Sequence, residues 1–309
     1  TILFAVALGL NLSAQVPESV VDDGLVGWWP FESNYDDYSG NENNCSVNGS
    51  VPFVQDRSGV LSSAVSFSGN GSNFLRVLYN QESFTFSEGI SISVWVNSSS
   101  DSGDRRALQM GSTDGGGKGF HILKRSSHLG YKLAEGGAND PAFGLWSGSA
   151  ATTPITLGEW HHIVFSVDFA SLQWNTFLDG ALAVTGASPF PFQENQLPLI
   201  FTQTFEIGRK MGTSNSGDAW SGFIDDIGIW NRALTEEEIL ALYNSEPPTP
   251  GCTDSTACNF DSEATSDDGS CIPSGCMETD ACNYNALAEC DGEACDYSCC
   301  PGPGCCGEG

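Results

Sequence analysis

The chain has 309 residues, of which 39 are acidic and 11 basic, so its formal net charge is −28. A protein this acidic repels nucleic-acid phosphates and anionic membrane surfaces, which excludes binding that depends on Lys and Arg neutralising phosphate. Apolar residues make up 40% of the chain, enough for a sizeable core, while 36 glycines and only 16% charged residues favour an all-β fold with many turns.

The first residues predict an exported protein. The apolar run Ile2–Leu10 is followed by small residues up to Ala14, as in the apolar region and cleavage site of a secretory signal peptide. We therefore predict a signal peptide over residues 1–14, truncated at its start because no Met or basic segment precedes it; a buried first strand is the alternative. No segment approaches the roughly 18 apolar residues that span a bilayer, so no membrane insertion is expected.

Residues 22–246 are predicted to form an all-β domain. Alternation of apolar and small polar residues, typical of half-buried strands, recurs at Ile90–Val96, Trp160–Asp168, Trp174–Val184 and Phe223–Trp230. Asp179-Gly180 divides the third of these segments and is a two-residue hairpin signal, because both residues tolerate positive φ. About a dozen short strands in this length predict an antiparallel two-sheet sandwich.

One helix is predicted near the end of this domain. Thr235 can cap it, and Glu238 stands three residues later as the partner in a capping box. Ile239, Leu242 and Tyr243 then form an apolar stripe that one face of the helix can bury.

Five motifs follow one another along the domain, at Gly27–Glu32, Asp37–Asn41, Gly158–Val164, Phe177–Gly180 and Gly222–Ile239. In this order they together resemble the laminin-G-like jelly-roll domain of the concanavalin A-like lectin/glucanase superfamily. The resemblance implies a jelly roll of two curved antiparallel sheets, frequent calcium binding, and recognition of glycans or protein partners. It does not imply an activity, because lectins, adhesion modules and glycosidases share this fold.

The arrangement of carboxylates argues against catalysis. Glycosidases need two carboxylates at a defined separation, and glucanases of this fold place them on one face of one strand as E-x-D-x-E or E-x-D-x-x-E, a pattern that is missing here. Asp225 and Asp226 are adjacent and are expected to point to opposite faces. His161 and His162 are adjacent as well, so they cannot both ligate one metal ion. We therefore predict a protein that is not an enzyme.

Calcium is the cofactor that the sequence favours. The loop Asn34–Asn44 is dense in side-chain oxygens, the ligands that calcium prefers. By resemblance, the strand that carries Asp225 returns beside the N-terminal strand, so Asp37 and Asp225, with Asn41 or Asn43, could share one structural ion. The alternative is a solvated Asx-rich turn at Asp37 and an Asp225 bonded to backbone donors.

Glycan binding usually requires an aromatic ring that stacks on the apolar face of a sugar. The candidates lie at or near predicted loops: Tyr131, Trp146, Trp174 and Trp220. The alternative for each is a ring that packs at the rim of the core. The tryptophans within the family motifs are predicted core residues: Trp28, Trp95, Trp160 and Trp230.

The tail, residues 251–309, follows a Pro-rich linker at 247–250 and differs in composition from the rest. It holds 12 acidic residues, no basic residue and eleven of the twelve cysteines. Segments 251–271 and 275–295 share the spacing C-x5-C-x12-C and the motif A-C-N-[FY]. They resemble the GCTD/ACNY-type Cys-rich repeats of extracellular proteins of marine bacteria.

Repeats this short cannot bury a core, so covalent or metal links must hold them. Export favours disulfides over soft-metal binding by thiolates, the alternative suggested by the paired cysteines near the end. The predicted disulfide cysteines are Cys252, Cys258, Cys271, Cys276, Cys282, Cys290, Cys295, Cys299, Cys300, Cys305 and Cys306. Because eleven cannot pair among themselves, either Cys45 reaches the tail or further cysteines follow. Asp261, Asp267 and Asp268 could add calcium to the first repeat.

These features predict a secreted or cell-surface binding protein without catalytic activity: a jelly roll with a small disulfide-rich tail. The expected partner is an extracellular glycan or a surface protein, which corresponds to carbohydrate binding or adhesion. A structural stalk protein that makes only protein–protein contacts is the alternative, and a glycoside hydrolase is the third and least favoured hypothesis.

Overall fold

The computed structural model describes residues 16–298 except 18, 79–83, 101–102, 112–117, 126–127, 136–152, 188–198, 201–203, 212–217, 246–249, 265, 268 and 293. The predicted signal peptide and the last four cysteines lie outside these residues. The chain divides into two compact units, one over Val16–Glu246 and one within Pro247–Gly309. No helix in the described part is long and apolar enough to cross a membrane.

The first unit is built on two antiparallel sheets, which confirms the predicted sandwich. In the described residues the first sheet has eight strands, in the order β14-β13-β12-β7-β17-β4-β3 with β1 paired to β17. These strands are β1 (Leu25–Trp29), β3 (Phe53–Val54), β4 (Ala64–Ser68), β7 (Gly89–Ser98), β12 (Trp160–Asp168), β13 (Gln173–Leu178), β14 (Ala181–Ala187) and β17 (Ser221–Trp230).

The second sheet has seven strands in the described residues, in the order β11-β10-β9-β8-β16-β5-β2. They are β2 (Cys45–Asn48), β5 (Phe74–Val77), β8 (Asp104–Gly111), β9 (Lys118–Arg125), β10 (His128–Glu135), β11 (Thr153–Pro154) and β16 (Phe205–Ile207). A further pair joins β6 (Thr85–Phe86) to β15 (Leu199–Ile200).

The facing sides of the two sheets bury one aromatic and aliphatic core. Trp29 from the first sheet packs against Phe205 from the second, with 5.5 Å between ring centroids, and both are fully buried. The turn between β13 and β14 takes the predicted form, with φ of 51° at Asp179 and 74° at Gly180. That left-handed pair matches the twist of the two strands that it joins.

The helix α1 (Glu236–Tyr243) covers the other side of the first sheet and has the predicted capping box. The Thr235 hydroxyl accepts a hydrogen bond from the Glu238 amide at 3.2 Å, and the Glu238 carboxylate accepts one from the Thr235 amide at 2.8 Å. Ile239 and Leu242 pack in a second apolar cluster with Trp28, Trp230 and other residues of the sheet. The central strands of the first sheet are therefore buried on both faces.

The tail contains two segments, each with one internal disulfide and one short parallel strand pair. Cys252 pairs with Cys271 and Cys276 with Cys295, each across 19 residues. Short parallel strand pairs lie beside them, β18 (Pro250–Gly251) with β19 (Ser266–Asp267) and β20 (Ser274–Gly275) with β21 (Cys290–Asp291). A third disulfide, Cys258–Cys290, joins the two segments. Cys282 is disulfide-bonded as well, whereas Cys45 is free.

Removing the cap of α1 should lower stability without changing the fold. We expect Thr235→Ala to reduce the free energy of unfolding by about 1 kcal/mol, since the Glu238 amide loses its acceptor. Urea denaturation measures the change. Glu237→Gln is the control, because Glu237 is exposed in the first turn of the helix and Gln has a similar helix propensity. An equal loss of unfolding free energy in the two variants would contradict the capping role of Thr235.

Breaking the disulfide between the two tail segments should loosen the tail alone. In the double variant Cys258→Ser/Cys290→Ser, the two disulfides within the segments remain, but about 2–4 kcal/mol of chain constraint is lost. Limited proteolysis should then cut the tail faster, with the sandwich melting as before. Cys45→Ser removes an unpaired thiol and should leave the cleavage rate unchanged; faster cleavage in this control would contradict the disulfide assignment.

Candidate functional site: the outer face of the second sheet

A row of polar side chains crosses the second sheet on the face that points away from the core. On either side of Arg76, for example, Leu75 and Val77 belong to the core cluster, so Arg76 faces outward. Each member of the row is the register partner of the next. We call this the polar row: Ser46, Arg76, Glu206, Gln109, His121 and Lys132. The backbone places Lys132 in the row; its side chain lies outside the described part.

Two arginines meet at Glu206 in the middle of the polar row. Glu206 Oε1 accepts hydrogen bonds from Arg76 Nη2 at 2.8 Å and Arg209 Nη2 at 3.1 Å, and Oε2 accepts one from Arg209 Nε at 2.7 Å. Both guanidiniums also lie near the Phe74 ring, at 5.0 Å for Arg76 and 3.4 Å for Arg209. Two cations share one carboxylate, so this group carries one unbalanced positive charge.

Among the described side chains of the polar row, exposure is confined to the end formed by Ser46 and Arg76. Glu206 and His121 are each 1% exposed and Gln109 is 3% exposed, whereas the Arg76 side chain is 33% exposed. The hydrogen-bonding capacity of Gln109 is used, since Nε2 donates to the Gly111 carbonyl and Oε1 accepts from the Met211 amide. Arg76 Nη1 has no hydrogen-bond partner among the described residues. Arg76 is therefore the exposed charged donor among the described side chains of the row.

The strands of the second sheet are rich in cations, two of which, Arg106 and Lys124, are buried. Its strands contain seven Lys or Arg and three Asp or Glu, a net charge of +4, whereas those of the first sheet contain three Asp and no Lys or Arg, a net charge of −3. Arg209 and Lys210 directly follow β16. Nine of the eleven cations of this acidic chain therefore lie in or beside one sheet.

Nearby cations lower the pKa of one carboxyl group of this sheet, that of Asp104 at the start of β8. The pKa of Asp104 is lowered, first by its hydrogen bond with Arg125 and further by the charges of Arg125, Arg106 and Lys210. Asp104 and Arg125 face each other as register partners on β8 and β9. The ionised form of the Asp104 carboxylate is thus favoured.

Of the aromatic residues predicted to stack on a sugar, three lie in the core. Tyr131, Trp174 and Trp220 are 3%, 8% and 1% exposed. Tyr131 contacts the rings of Phe165 and Trp174, with centroids at 4.7 Å and 5.8 Å, so these faces are occupied by neighbours. Trp146 lies outside the described residues.

The loop residues predicted to bind calcium are bonded within the protein. Both oxygens of Asp37 accept hydrogen bonds, among them those from the amides of Trp28 and Asn43, each at 2.9 Å. The Asn41 and Asn43 side-chain amides donate to the Val26 carbonyl. The structure thus brings Asp37, Asn41 and Asn43 together in one loop.

Asp225 lies in a different environment, beside Arg57. Asp225 and Asp226 both accept from Arg57 Nη1, at 3.3 Å and 2.8 Å, so the expectation that they point to opposite faces was wrong. A β-bulge interrupts the register between Asp225 and Gly228, and Asp226 has a φ of 44°. The bulge turns both carboxylates to one side.

The remaining predicted ligands lie in the tail. Asp261 is exposed and accepts a hydrogen bond from the Glu263 amide. The side chain of Asp267 and all of Asp268 lie outside the described part. Among the residues that the structure describes, no group of three His, Cys, Asp or Glu could hold a metal ion.

The adjacent histidines have separate structural contacts. His161 Nδ1 lies 2.9 Å from Asp179 Oδ2, and its Nε2 accepts from the Thr156 amide. His162 Nε2 lies 2.8 Å from the Ser93 hydroxyl, and burial lowers the pKa of His162 to about 3, so this ring is neutral. The two rings serve to position β12 and the turn that follows β13.

Sequence reasoning missed the polar row. Its signal is one outward polar residue in each of several strands, such as Glu206 between Phe205 and Ile207. Since β5 and β16 are 130 residues apart at Arg76 and Glu206, no local pattern predicts that these side chains meet.

Comparison with known proteins agrees with this fold. Mouse, rat and human neuronal pentraxin-2 are each 26% identical over 115 residues, 37% of this chain and 27% of theirs. The binding domain of Paraclostridial Mosquitocidal Protein 1 superposes with a TM-score of 0.53 and 22% identity, over 72% of this chain and 52% of that one. Domain 4 of AbnA, an extracellular arabinanase of Geobacillus stearothermophilus solved with arabinotriose, superposes with a TM-score of 0.50 and 19% identity, over 71% of this chain and 98% of that one.

At these identities the solved structures show the fold alone. The chain spans about a quarter of the pentraxins that it matches and half of the toxin domain. The match to a family model extends further, over residues 69–240, more than half of the chain. With its two-sheet sandwich, this match shows that the chain belongs to the concanavalin A-like lectin/glucanases superfamily, as a laminin-G-like domain.

Proposed function

We propose that this protein is an extracellular binding module without catalytic activity, and that the outer face of the second sheet binds carbohydrate that carries carboxylate or sulfate groups. The observation that carries the proposal is the concentration of cations on this sheet in a chain of net charge −28. Among the described cations of this sheet, the side chains of Arg76 and Arg125 are 33% and 44% exposed. Exposed cations attract anionic ligands, which the acidic surface elsewhere repels.

The arginines of the polar row suit such a ligand. Guanidinium groups match the planar geometry of carboxylates and the oxygens of sulfate, and charge-assisted hydrogen bonds are stronger than neutral ones. Arg76 is held in place by Glu206, its side chain is 33% exposed, and its Nη1 has no hydrogen-bond partner among the described residues. The positive charge left over by the Arg76–Glu206–Arg209 group would be neutralised by one acidic group of the ligand.

The same geometry argues against glycoside hydrolysis. Hydrolysis requires two carboxylates, one of which donates a proton to the glycosidic oxygen. Both oxygens of Glu206 are bonded to guanidiniums, so neither is free for that step. Relatives of similar fold include a toxin binding domain and a domain solved with arabinotriose, which supports binding as the role.

Replacing Arg76 should weaken binding selectively. We expect Arg76→Gln to reduce affinity for carboxylated or sulfated polysaccharides about tenfold or more, the loss of one hydrogen bond to a charged group. Wild-type binding should also weaken with rising salt, because screening shortens the range of surface charges. A glycan array and titration calorimetry measure both effects.

Arg232→Gln is the matched control, since it removes the same charge from a residue that pairs with Asp23 and Glu238 instead. Its affinity should equal that of the wild type, and melting temperatures should show that both variants fold. Binding to neutral glycans that is insensitive to Arg76→Gln would place the ligand elsewhere. Absence of binding to every glycan would reject carbohydrate as the ligand and leave a surface protein as partner.

The tail and calcium belong to the same proposal. An exported chain with a signal peptide and two Cys-rich repeats would present the sandwich on a disulfide-linked spacer, and its 12 acidic residues without a cation would attract calcium. In the loop at Asp37, calcium would have to displace the donors already bonded to that carboxylate.

Chelation should therefore affect the tail more than the sandwich. We expect EDTA to speed proteolysis of the tail and calcium to slow it, because the ion offsets repulsion among the carboxylates. A melting curve of the sandwich in EDTA tests the ion predicted at Asp37, Asn41, Asn43 and Asp225: an unchanged melting temperature limits calcium to the tail, and equal proteolysis with and without EDTA excludes it there.

A further inference from the structure

One aromatic residue stands at the same position in both segments of the tail. Phe260 and Tyr284 lie 24 residues apart and close the shared motif A-C-N-[FY]. Phe260 is 45% exposed and Tyr284 is 43% exposed. Among the residues that the structure describes, neither ring contacts another ring, and the Tyr284 hydroxyl has no hydrogen-bond partner. We call these two residues the tail aromatics.

The first two residues of the shared motif have structural roles. The carbonyls of Ala257 and Ala281 each accept a hydrogen bond at 3.3 Å from the amide of the aromatic residue three positions later. The motif cysteines, Cys258 and Cys282, are both disulfide-bonded. These contacts fix the backbone turn that carries each aromatic residue.

The motif asparagines connect this turn to the end of their segment. Asn259 Nδ2 donates to the Ser270 carbonyl at 2.8 Å, and its Oδ1 accepts from the Ile272 amide at 2.8 Å. Asn283 makes the corresponding two bonds, 24 residues further along the chain. Both hydrogen-bonding ends of each asparagine side chain are therefore used within the segment. The aromatic ring is the part of the shared motif that the segment leaves exposed to a ligand.

The backbone holds both tail aromatics in the same way. Phe260 forms a parallel bridge with Cys252, and Tyr284 forms one with Cys276. Both of these cysteines are 1% exposed and belong to the disulfides within the segments. Because a disulfide restrains the neighbouring strand, little backbone freedom remains to be lost when a ligand binds to either ring.

The other strongly exposed apolar side chains of the second segment have no counterpart in the first. Leu287 is 75% exposed and Met277 is 47% exposed, but the equivalent residues of the first segment are Glu263 and Thr253. Apolar character is therefore not a general feature of exposed positions in the tail. An exposed aromatic ring is the apolar feature that both segments share.

We infer that the tail aromatics are stacking sites for a neutral polysaccharide, with one ring on each segment. An exposed aromatic side chain offers a flat apolar surface to the C–H face of a sugar ring. The tail carries 12 acidic residues and no basic residue, so it repels polysaccharides that bear carboxylate or sulfate groups. The tail thus selects the opposite class of glycan from the second sheet, and the inference does not rest on the function proposed for that sheet.

Two equivalent rings suit a ligand that is itself a repeat. A polysaccharide presents the same sugar face many times along its chain. Once one ring has bound, the second meets further sugars of that chain at a high effective concentration. Affinity should therefore rise steeply from the monosaccharide to the polymer.

Replacing the rings should weaken binding to neutral polysaccharides. We expect Phe260→Leu and Tyr284→Leu each to reduce the affinity of the full chain for cellulose, xylan or laminarin about fivefold, and the double variant about 25-fold. Leucine remains apolar but lacks a flat ring. Tyr284→Phe keeps the ring and should bind as the wild type does. Depletion from solution by insoluble cellulose and affinity electrophoresis in gels with xylan or laminarin measure these changes.

Leu287→Ala is the matched control, because it truncates a more exposed apolar side chain that only the second segment has. Its affinity should equal that of the wild type. Limited proteolysis without reductant should show equal cleavage of the tail in all variants, so that a loss of binding reports the ring and not the fold. Equal losses in Leu287→Ala and Tyr284→Leu would overturn the inference, since non-specific adhesion of apolar surface would then explain the binding.

The same measurements separate this site from the second sheet. Arg76→Gln should leave binding to the neutral polysaccharides unchanged, and the double variant of the tail aromatics should leave binding to carboxylated or sulfated polysaccharides unchanged. Binding to neutral polysaccharides that is lost in Arg76→Gln and kept in the double variant would overturn the inference. Absence of wild-type binding to all three neutral polysaccharides would overturn it as well, whatever the result with the charged ones.

Discussion

The burial of the central strands of the first sheet on both faces is the constraint on which the rest of the structure depends. One face packs against the second sheet around Trp29 and Phe205, and the other lies under helix α1. Strands with no solvent-exposed face cannot carry isolated charges, because removing an ion from water costs more than packing returns. All ten residues of β7 are buried and none is charged, as this constraint requires.

The charged residues of the sandwich are arranged in two ways. Asp225 and Asp226, the charged residues within β17, are collected at a bulge and bonded to Arg57, which brings the end of the helix with it. The cations of the chain lie mostly on the second sheet, whose outer face carries Arg76, Glu206 and Arg209. The strands of the first sheet thus carry a net charge of −3 and those of the second sheet a net charge of +4. In the proposed function, the position of the positive sheet matters more than the sum of charges, because a local field can attract a ligand that the net charge would repel.

The sequence predicted the architecture well where the signal was local. The alternation at residues 90–96 and 160–168, the Asp179-Gly180 turn and the Thr235 capping box all occur as expected, because each depends on neighbours within a few residues. The site was predicted less well. Tyr131 was a candidate because it lies near predicted loops, yet its ring is stacked on Phe165 in the core. The face to which an aromatic residue points depends on strand register, which local patterns leave undetermined.

By itself, the sequence determined the composition of the two units, the β periodicity and the cysteine spacing of the tail, since these follow from the order of residues along the chain. Tertiary structure decided which side chains contact each other. It placed Glu206 between Arg76 and Arg209, although 130 residues separate Glu206 from Arg76, because β5 and β16 are neighbours in the sheet. It also brought the adjacent Asp225 and Asp226 side chains into contact with Arg57, because a β-bulge at Asp226 interrupts the regular alternation of side chains along the strand. Sheet order and bulges are set by packing over the whole domain, and packing is not encoded in any single segment.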